Sequence, residues 1–285
     1  MSEPNWLLAE HERRNQTTFN ARSLFAAHRQ HVMHLLKQTA CSAPGRLCVL
    51  GAGNCNDLDL VELLTLFQEV VLVDLDRAAT EFAVTSGLDE SLQKRIHVAD
   101  STDVTGVFDR LHAGDVKDFS SSAADALLKL LTLTPQLPLN PFDCVVSTSL
   151  LSQLIDSLVL ALGIDHPSIV AIILALRRQH LRTLVQALVP GGRGFLVFDF
   201  VSSQSLPSLM QIDDNLLNQA LLEAINTKNF FTGLNPFAVR AELQTHADFV
   251  GRITDIRLHP PWRWDIGIKQ FAVSAISFRR SLMPS

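Results

Sequence analysis

The sequence predicts an α/β fold: a mostly parallel seven-stranded sheet with helices on both faces, closed by a C-terminal antiparallel β-hairpin. Three observations carry this expectation. Short apolar runs alternate with helix-length amphipathic segments from Arg46 to Phe200. The first of these runs ends in the glycine-rich turn GAGNCND and passes straight into a helix. The last two strand-like runs have nothing helical between them, so they should pair as a hairpin.

Taken in order, residues 17–39 read as one amphipathic helix, with Leu24, Phe25, Val32, Leu35 and Leu36 on one face and His28 within it. Pro44 and Gly45 separate it from RLCVLG (46–51), the first strand, and LDLVELLTLF (58–67) is the helix that follows. VVLVDL (70–75) is the second strand, and Asp76 caps the helix RAATEFAV. RIHVAD (95–100) is the third strand, ADALLKLL (124–131) is helical, and TPQLPLNP is a loop. FDCVVS (142–147) is the fourth strand, followed by a long helical region broken between Gly163 and Pro167, with Pro167 in the first turn of its second half. Pro190-Gly191-Gly192 stops that helix before the fifth strand, GFLVFDF (194–200). Helices around 209–227 and 236–246 come next, the second capped by Asn235. GRITDIRL (251–258) and KQFAVSAISF (269–278), joined by HPPWRWDIGI, form the closing hairpin and add one antiparallel strand at the sheet edge. The division expected is an N-terminal helical cap over residues 1–45 and a sheet-bearing domain over 46–285.

Hydrophobic residues make up 47% of the 285 and charged residues 19%, enough for a sizeable core. A net charge of −5 argues against a nucleic-acid partner, which needs a basic face. Cys41, Cys48, Cys55 and Cys144 are scattered without a CxxC pair and read as reduced core thiols. The N-terminal stretch MSEPNWLLAEHERRNQ lacks the long apolar run of a signal peptide, and Ile169–Leu176 is too short to span a bilayer. The expectation is a cytoplasmic protein with neither membrane nor nucleic-acid partner; a homodimer is compatible with it.

Ligands of open α/β sheets bind at the carboxyl ends of the strands, beside the first βα turn. There Gly51 and Gly53 let backbone approach a ligand, and Asp74, about twenty residues on, can accept from both hydroxyls of a ribose. The alternative is an ordinary tight turn. A dinucleotide site needs a third glycine where this chain has Asn56, followed by Asp57. A carboxylate there is unwelcome beside pyrophosphate and suits the ammonium of a methionine moiety, which favours a sulfonium amino-acid nucleoside over NAD(P).

In this order the motifs resemble the Rossmann-like class I S-adenosylmethionine-dependent methyltransferases, over roughly residues 46–280. LCVLGAGNCNDLDL resembles the family's first motif, with Cys55 where its third glycine usually stands. VLVDLD is similar to the second motif, HVADSTD to the third, FDCVVSTSLLSQL to the fourth strand and its turn, and LVPGGRGFLVFDF to the turn into strand five. NPFAVRAELQTHADFVGRITDIRL resembles the last helix leading into strand six. The resemblance implies S-adenosyl-L-methionine as cofactor. Gly51, Ala52, Gly53, Asn54 and Asp57 would surround its methionine end, Asp74 its ribose, and Leu75, Asp100 and Ser101 its adenine. Ser147 and Thr148 would border both methionine and acceptor. It implies a small-molecule methyltransferase working by in-line methyl transfer; an NAD(P)-dependent oxidoreductase and a non-catalytic cofactor-binding partner protein are the alternatives.

No catalytic residue announces itself, because methyl transfer needs a base only if the acceptor must lose a proton. The candidates are His28, Gln153 and His166, with Asp199 also on the ligand side of the sheet. His166 competes with a role as a helix cap. His28, His31 and His34 do not converge on a metal, because helical steps of three swing His34 to the polar side, and no metal site is expected. His180 faces its helical neighbours, and Arg177 is a snorkelling stem or a buried pair. Trp262 and Trp264 either line a pocket or pack the hairpin. No GxSxG, Walker loop or HExxH occurs.

Overall fold

A computed structural model describes residues 6–39, 45–108, 121–135, 137 and 141–282. Its helices are α1 (Trp6–Thr18), α2 (Ala26–Thr39), α3 (Leu60–Leu66), α4 (Arg77–Gly87), α5 (Glu90–Gln93), α6 (Ser121–Leu131), α7 (Leu150–Leu162), α8 (Ile169–Gln186), α9 (Asp214–Asn226) and α10 (Pro236–Thr245), with a 3₁₀ turn at Pro207–Met210. The strands are β1 (Arg46–Leu50), β2 (Glu69–Val73), β3 (Ile96–Val98), β4 (Phe142–Thr148), β5 (Leu188–Ser202), β6 (Ile253–Leu258), β7 (Trp262–Asp265) and β8 (Gln270–Arg280).

They form one sheet in the order β3-β2-β1-β4-β5-β8-β6, with β7 paired to β8 beside that path. Pairing from β3 through β5 is parallel, with Leu47 of β1 opposite Val70 of β2 and Cys144 of β4. β8 runs antiparallel to β5, β6 and β7. The strand order reverses between β1 and β4, which opens a crevice at their carboxyl ends. This is the mostly parallel, Rossmann-like sheet the sequence predicts, with two corrections. The antiparallel strand is not at the edge but between β5 and β6, which leaves β6 outermost. The stretch HPPWRWDIGI is not only a connection: Trp262–Asp265 pairs antiparallel with Gln270–Val273, so the strands number eight among the described residues.

Alternation along the strands divides the core into two layers. Cys48, Leu50, Val145, Leu196 and Ile276 face α7, α8, α9 and α10. Leu47, Val49, Val146, Val197 and Ala275 face α2 and α3. Cys48, Cys55 and Cys144 are buried and outside any disulfide among the described residues, and burial pushes the Cys55 thiol up to about 12; Cys41 lies outside the described residues. No described helix is long and apolar enough to cross a membrane.

The N-terminal region departs from the expectation of one helix over 17–39. Thr18 Oγ1 turns back to the Arg14 carbonyl, and Asn54 and Asn56 from the turn after β1 donate to the carbonyls of Asn15 and Thr18, so α1 ends there. The apolar face of α2 does not cover the carboxyl edge of the sheet. Phe25, Val32, Met33 and Leu36 pack into the second core layer, against the sheet's own face. The element lying across the carboxyl edge is α1. Arg14 pairs with Asp156 of α7 at 2.6 Å, and Asn15 donates to Asp76 at 2.9 Å.

Local signals behave as their chemistry demands. Asp59, Asp76 and Asn235 cap α3, α4 and α10 by accepting from first-turn N–H groups. Pro167 lies just ahead of α8, outside its first turn, because Ser168 is the capping position. The 209–227 region divides into the 3₁₀ turn and α9. On the far side of the first layer, Arg177 of α8 forms a buried ion pair with Glu242 of α10 at 2.7 Å, and Arg178 holds the other carboxylate oxygen at 2.6 Å.

Candidate functional site

The site begins in the turn after β1. Gly51 (φ 78°) and Gly53 (φ 45°) occupy left-handed backbone, and so does Cys55 (φ 52°). Cys55 therefore holds the backbone shape that a glycine would hold, with its side chain buried in the second core layer. A Cβ at Gly51 would meet Leu150 at 2.7 Å, so that glycine also lets α7 approach the turn.

Asp74 follows β2 and accepts from Gly53 N and Asp76 N, each at 2.8 Å. Burial raises its pKa to about 6 against the pull of those two N–H groups. Asp74 lines a cavity of about 20 Å³ together with His11, Gly51, Leu75, Asp103 and Leu150. α1 closes it from above through His11, whose imidazole burial lowers to about 4.

A second cluster lies where β4 meets α7. Asp57 is held by the Thr148 hydroxyl and stands 3.5 Å from His28 Nε2. Trp262 Nε1, which can only donate, bonds His28 Nδ1 at 3.1 Å. The neutral ring must then carry its proton on Nε2, facing Asp57. Asp57 Oδ1 and His28 Nε2 have no hydrogen-bond partner among the described residues. Burial lowers His28 to about 3, whereas burial and then the like charge of Asp199 push Asp57 up to about 7.

On the other side of the first turns of α7 is a cavity of about 640 Å³, lined among others by Ser149, Gln153, Asp199, Phe231, Trp264 and Phe271. Ser152 Oγ donates to Asp199 Oδ1, and burial above all raises the Asp199 pKa. Ser149 Oγ, buried in this wall, has no hydrogen-bond partner among the described residues.

The sequence-predicted residues are thus divided. Gly51, Asp74 and Leu75 share the small cavity, and Gln153 lines the large one. Gly53 donates to Asp74, the Asn54 side-chain nitrogen holds α1, and Ala52 is in the second core layer. Asp100, 93% exposed, pairs with Arg77 instead of reaching the small cavity; Ser101 is tied to the Leu75 carbonyl, and Asp103 takes the lining position. β3 ends at Val98, and the turn after it brings the chain back to the site three residues later than expected. Thr148 meets Asp57, but Ser147 points the other way and bonds His180 at 2.9 Å. His28 lies one layer behind the large cavity, stacked on Trp264 at 4.5 Å, and lines neither space. His166 accepts from Ser168 N and also lines neither. Trp264 faces the large cavity while Trp262 packs against His28 and His31, so both readings of the tryptophans hold, one for each. His34 bonds Gln38, away from the other two histidines. Sequence reasoning missed Arg14, Lys269 and the loop pair Phe230-Phe231, whose signal was two adjacent aromatics between helices.

Many solved structures similar to this chain are S-adenosylmethionine-dependent methyltransferases. One from Methanosarcina mazei is 11% identical, with 87% of this chain and 98% of that one covered and a TM-score of 0.48. Human N-acetylserotonin methyltransferase, solved with S-adenosylmethionine, is 13% identical over 95% of this chain and 56% of that one, with a TM-score of 0.45. The methyltransferase SibL is 17% identical over 87% of this chain and 53% of that one, with a TM-score of 0.42. The chain therefore spans about half the length of the last two. No family model and no curated protein matches. At these identities, activity has to be argued from the chain's own residues.

Proposed function

We propose that the protein is an S-adenosylmethionine-dependent methyltransferase acting on a small molecule in the cytoplasm. The observation that carries this reading is the carboxylate pair around the turn after β1: Asp74 after the end of β2, accepting from Gly53 N, and Asp57, buried with an unpartnered oxygen, beside the start of α7. A dinucleotide's pyrophosphate would meet Asp57 as a repelling charge, whereas a methionine ammonium would supply the cation that a buried carboxylate lacks. The residues present fit the cofactor. Asp74 would hold the ribose hydroxyls, Leu75 the adenine, and Asp57, kept in place by Thr148, the ammonium. The bound cofactor supplies a methyl group on a positively charged sulfur, transferred in line to the acceptor. The protein's contribution is to bind, align and exclude water. Calorimetry with S-adenosylhomocysteine and NADH in parallel tests the reading; tight NADH binding with no response to S-adenosylhomocysteine overturns it.

A pH dependence follows. Asp57 and Asp74 have raised pKa values, about 7 and about 6, so both take up protons in the free protein as pH falls through that range. A ligand offering hydroxyl donors and an ammonium prefers the ionised carboxylates, so S-adenosylhomocysteine affinity should fall as pH drops from 8 to 5. A flat affinity across this window would remove both carboxylates from the contact.

A space of about 20 Å³ does not admit a nucleoside, so the cofactor enters when α1 lifts. We further assign α1, not α2, as the cap of the site: His11 reaches the small cavity, and Arg14 and Thr18 reach the large one. Removing residues 1–20 leaves α2 in the core. It should keep S-adenosylhomocysteine affinity within a few-fold or raise it, and abolish turnover of an acceptor. A tenfold loss of cofactor affinity on calorimetry would show that α1 is part of the cofactor site and not its lid.

A further inference from the structure

We infer that the large cavity binds a small aromatic or otherwise apolar amine, with its ammonium on Asp199. The inference rests on the reading of this cavity as the acceptor site and adds the substrate's chemical class. Phe25, Phe230, Phe231, Trp264 and Phe271 surround the space, which suits a planar or apolar body. Its polar end is set by the charges around it. Arg14 is taken up by Glu10 and Asp156, so that group is spent. What remains is Asp199 in the wall and Lys269. Lys269 makes no ion pair with Asp199 within 4 Å among the described residues; its Nζ stands 4.6 Å from the centroid of the Phe271 ring. Asp199 is thus a buried carboxylate in this wall with no ion pair among the described residues, and the aromatic faces add attraction for a positive charge. Ser152 occupies Asp199 Oδ1 as a donor and fixes the carboxylate's orientation. A carboxylate-bearing acceptor would instead have to sit beside Asp199 with Lys269 alone to neutralise it.

The experiment is calorimetry on the full chain with three probes of matched shape: 2-phenylethylamine, 2-phenylethanol and phenylacetate. The amine should bind at least tenfold more tightly than the alcohol, and phenylacetate most weakly. Asp199→Asn should remove the amine's advantage while leaving the alcohol unchanged, and Lys269→Met should strengthen amine binding several-fold. Equal binding of amine and alcohol, a preference for phenylacetate, or an Asp199→Asn protein with undiminished amine affinity overturns the inference. If Asp199→Asn does not fold, Lys269→Met decides: unchanged or weaker amine binding overturns it. S-adenosylhomocysteine titrated into the same samples separates the two readings. Cofactor binding without amine preference defeats this inference alone, and amine preference without cofactor binding defeats the methyltransferase reading alone.

Discussion

Glu242→Ala should cost the fold about 3–5 kcal/mol, the range for removing one partner of a buried ion pair. Glu242 of α10 is held by two arginines of α8, one on each carboxylate oxygen, and Arg177 also donates to the Gly233 carbonyl at 2.7 Å. Removing the carboxylate leaves the buried Arg177 guanidinium with only a carbonyl to answer its charge. The pair itself is buried, and so are Leu176 and Leu243, which adjoin its two members in the chain, so water does not enter without cost. Urea unfolding checks the expectation, and a loss below about 1 kcal/mol would place the pair among surface ion pairs of little worth. An Arg177→Met, Glu242→Met double replacement should recover most of the loss, because it removes both charges and keeps the volume.

Asp74→Ala should weaken S-adenosylhomocysteine binding at least tenfold. Each hydrogen bond from a ribose hydroxyl to an ionised carboxylate is worth about 1.5–3 kcal/mol, so losing even one reaches that factor. The same carboxylate receives Gly53 N and Asp76 N, which become unpaired in the mutant. A second effect should accompany the first: a loss of about 1–3 kcal/mol in stability from the two orphaned donors. Asp74→Asn keeps an acceptor oxygen and should fall between wild type and alanine in both measurements. A folded alanine variant with unchanged affinity would mean that the nucleoside does not lie against β2.

The sheet was legible because its cause is local. Apolar runs of strand length, the glycine turn at 51–53 and the capping side chains Asp76 and Asn235 each act within a few residues of the structure they produce. What was not legible depends on distant parts of the chain. α1 has only Leu7 and His11 buried, so no apolar stripe marks it; its end is fixed by Asn54 and Asn56 from beyond β1. β7 has four residues, and only the nearby edge of β8 makes it a strand. The site divides in the same way. The place of Asp74 beside the small cavity could be read from its position after a strand, but that Asp103 and not Asp100 lines this cavity depended on how soon β3 ends. The cavity wall at Phe230 and Phe231 comes from a loop that Phe231 ties to the Phe200 carbonyl of β5 at 2.7 Å, a contact with no periodicity to announce it.

The position of β8 also sets an order of assembly. β6 and β7 precede β8 in the chain, yet each pairs with β8 and neither reaches β5 without it. On a growing polypeptide β1 to β5 can align as they emerge, and the crevice beside Asp74 can take shape with them. β6 and β7 then wait, unpaired, until Gln270–Arg280 is made and slots in between β5 and β6. Trp264 in β7, Lys269 just ahead of β8 and Phe271 within β8 are all set in place by that late pairing. The half of the crevice that would hold a nucleoside can therefore be built before the wall of the larger cavity, which is completed only once β8 has been made.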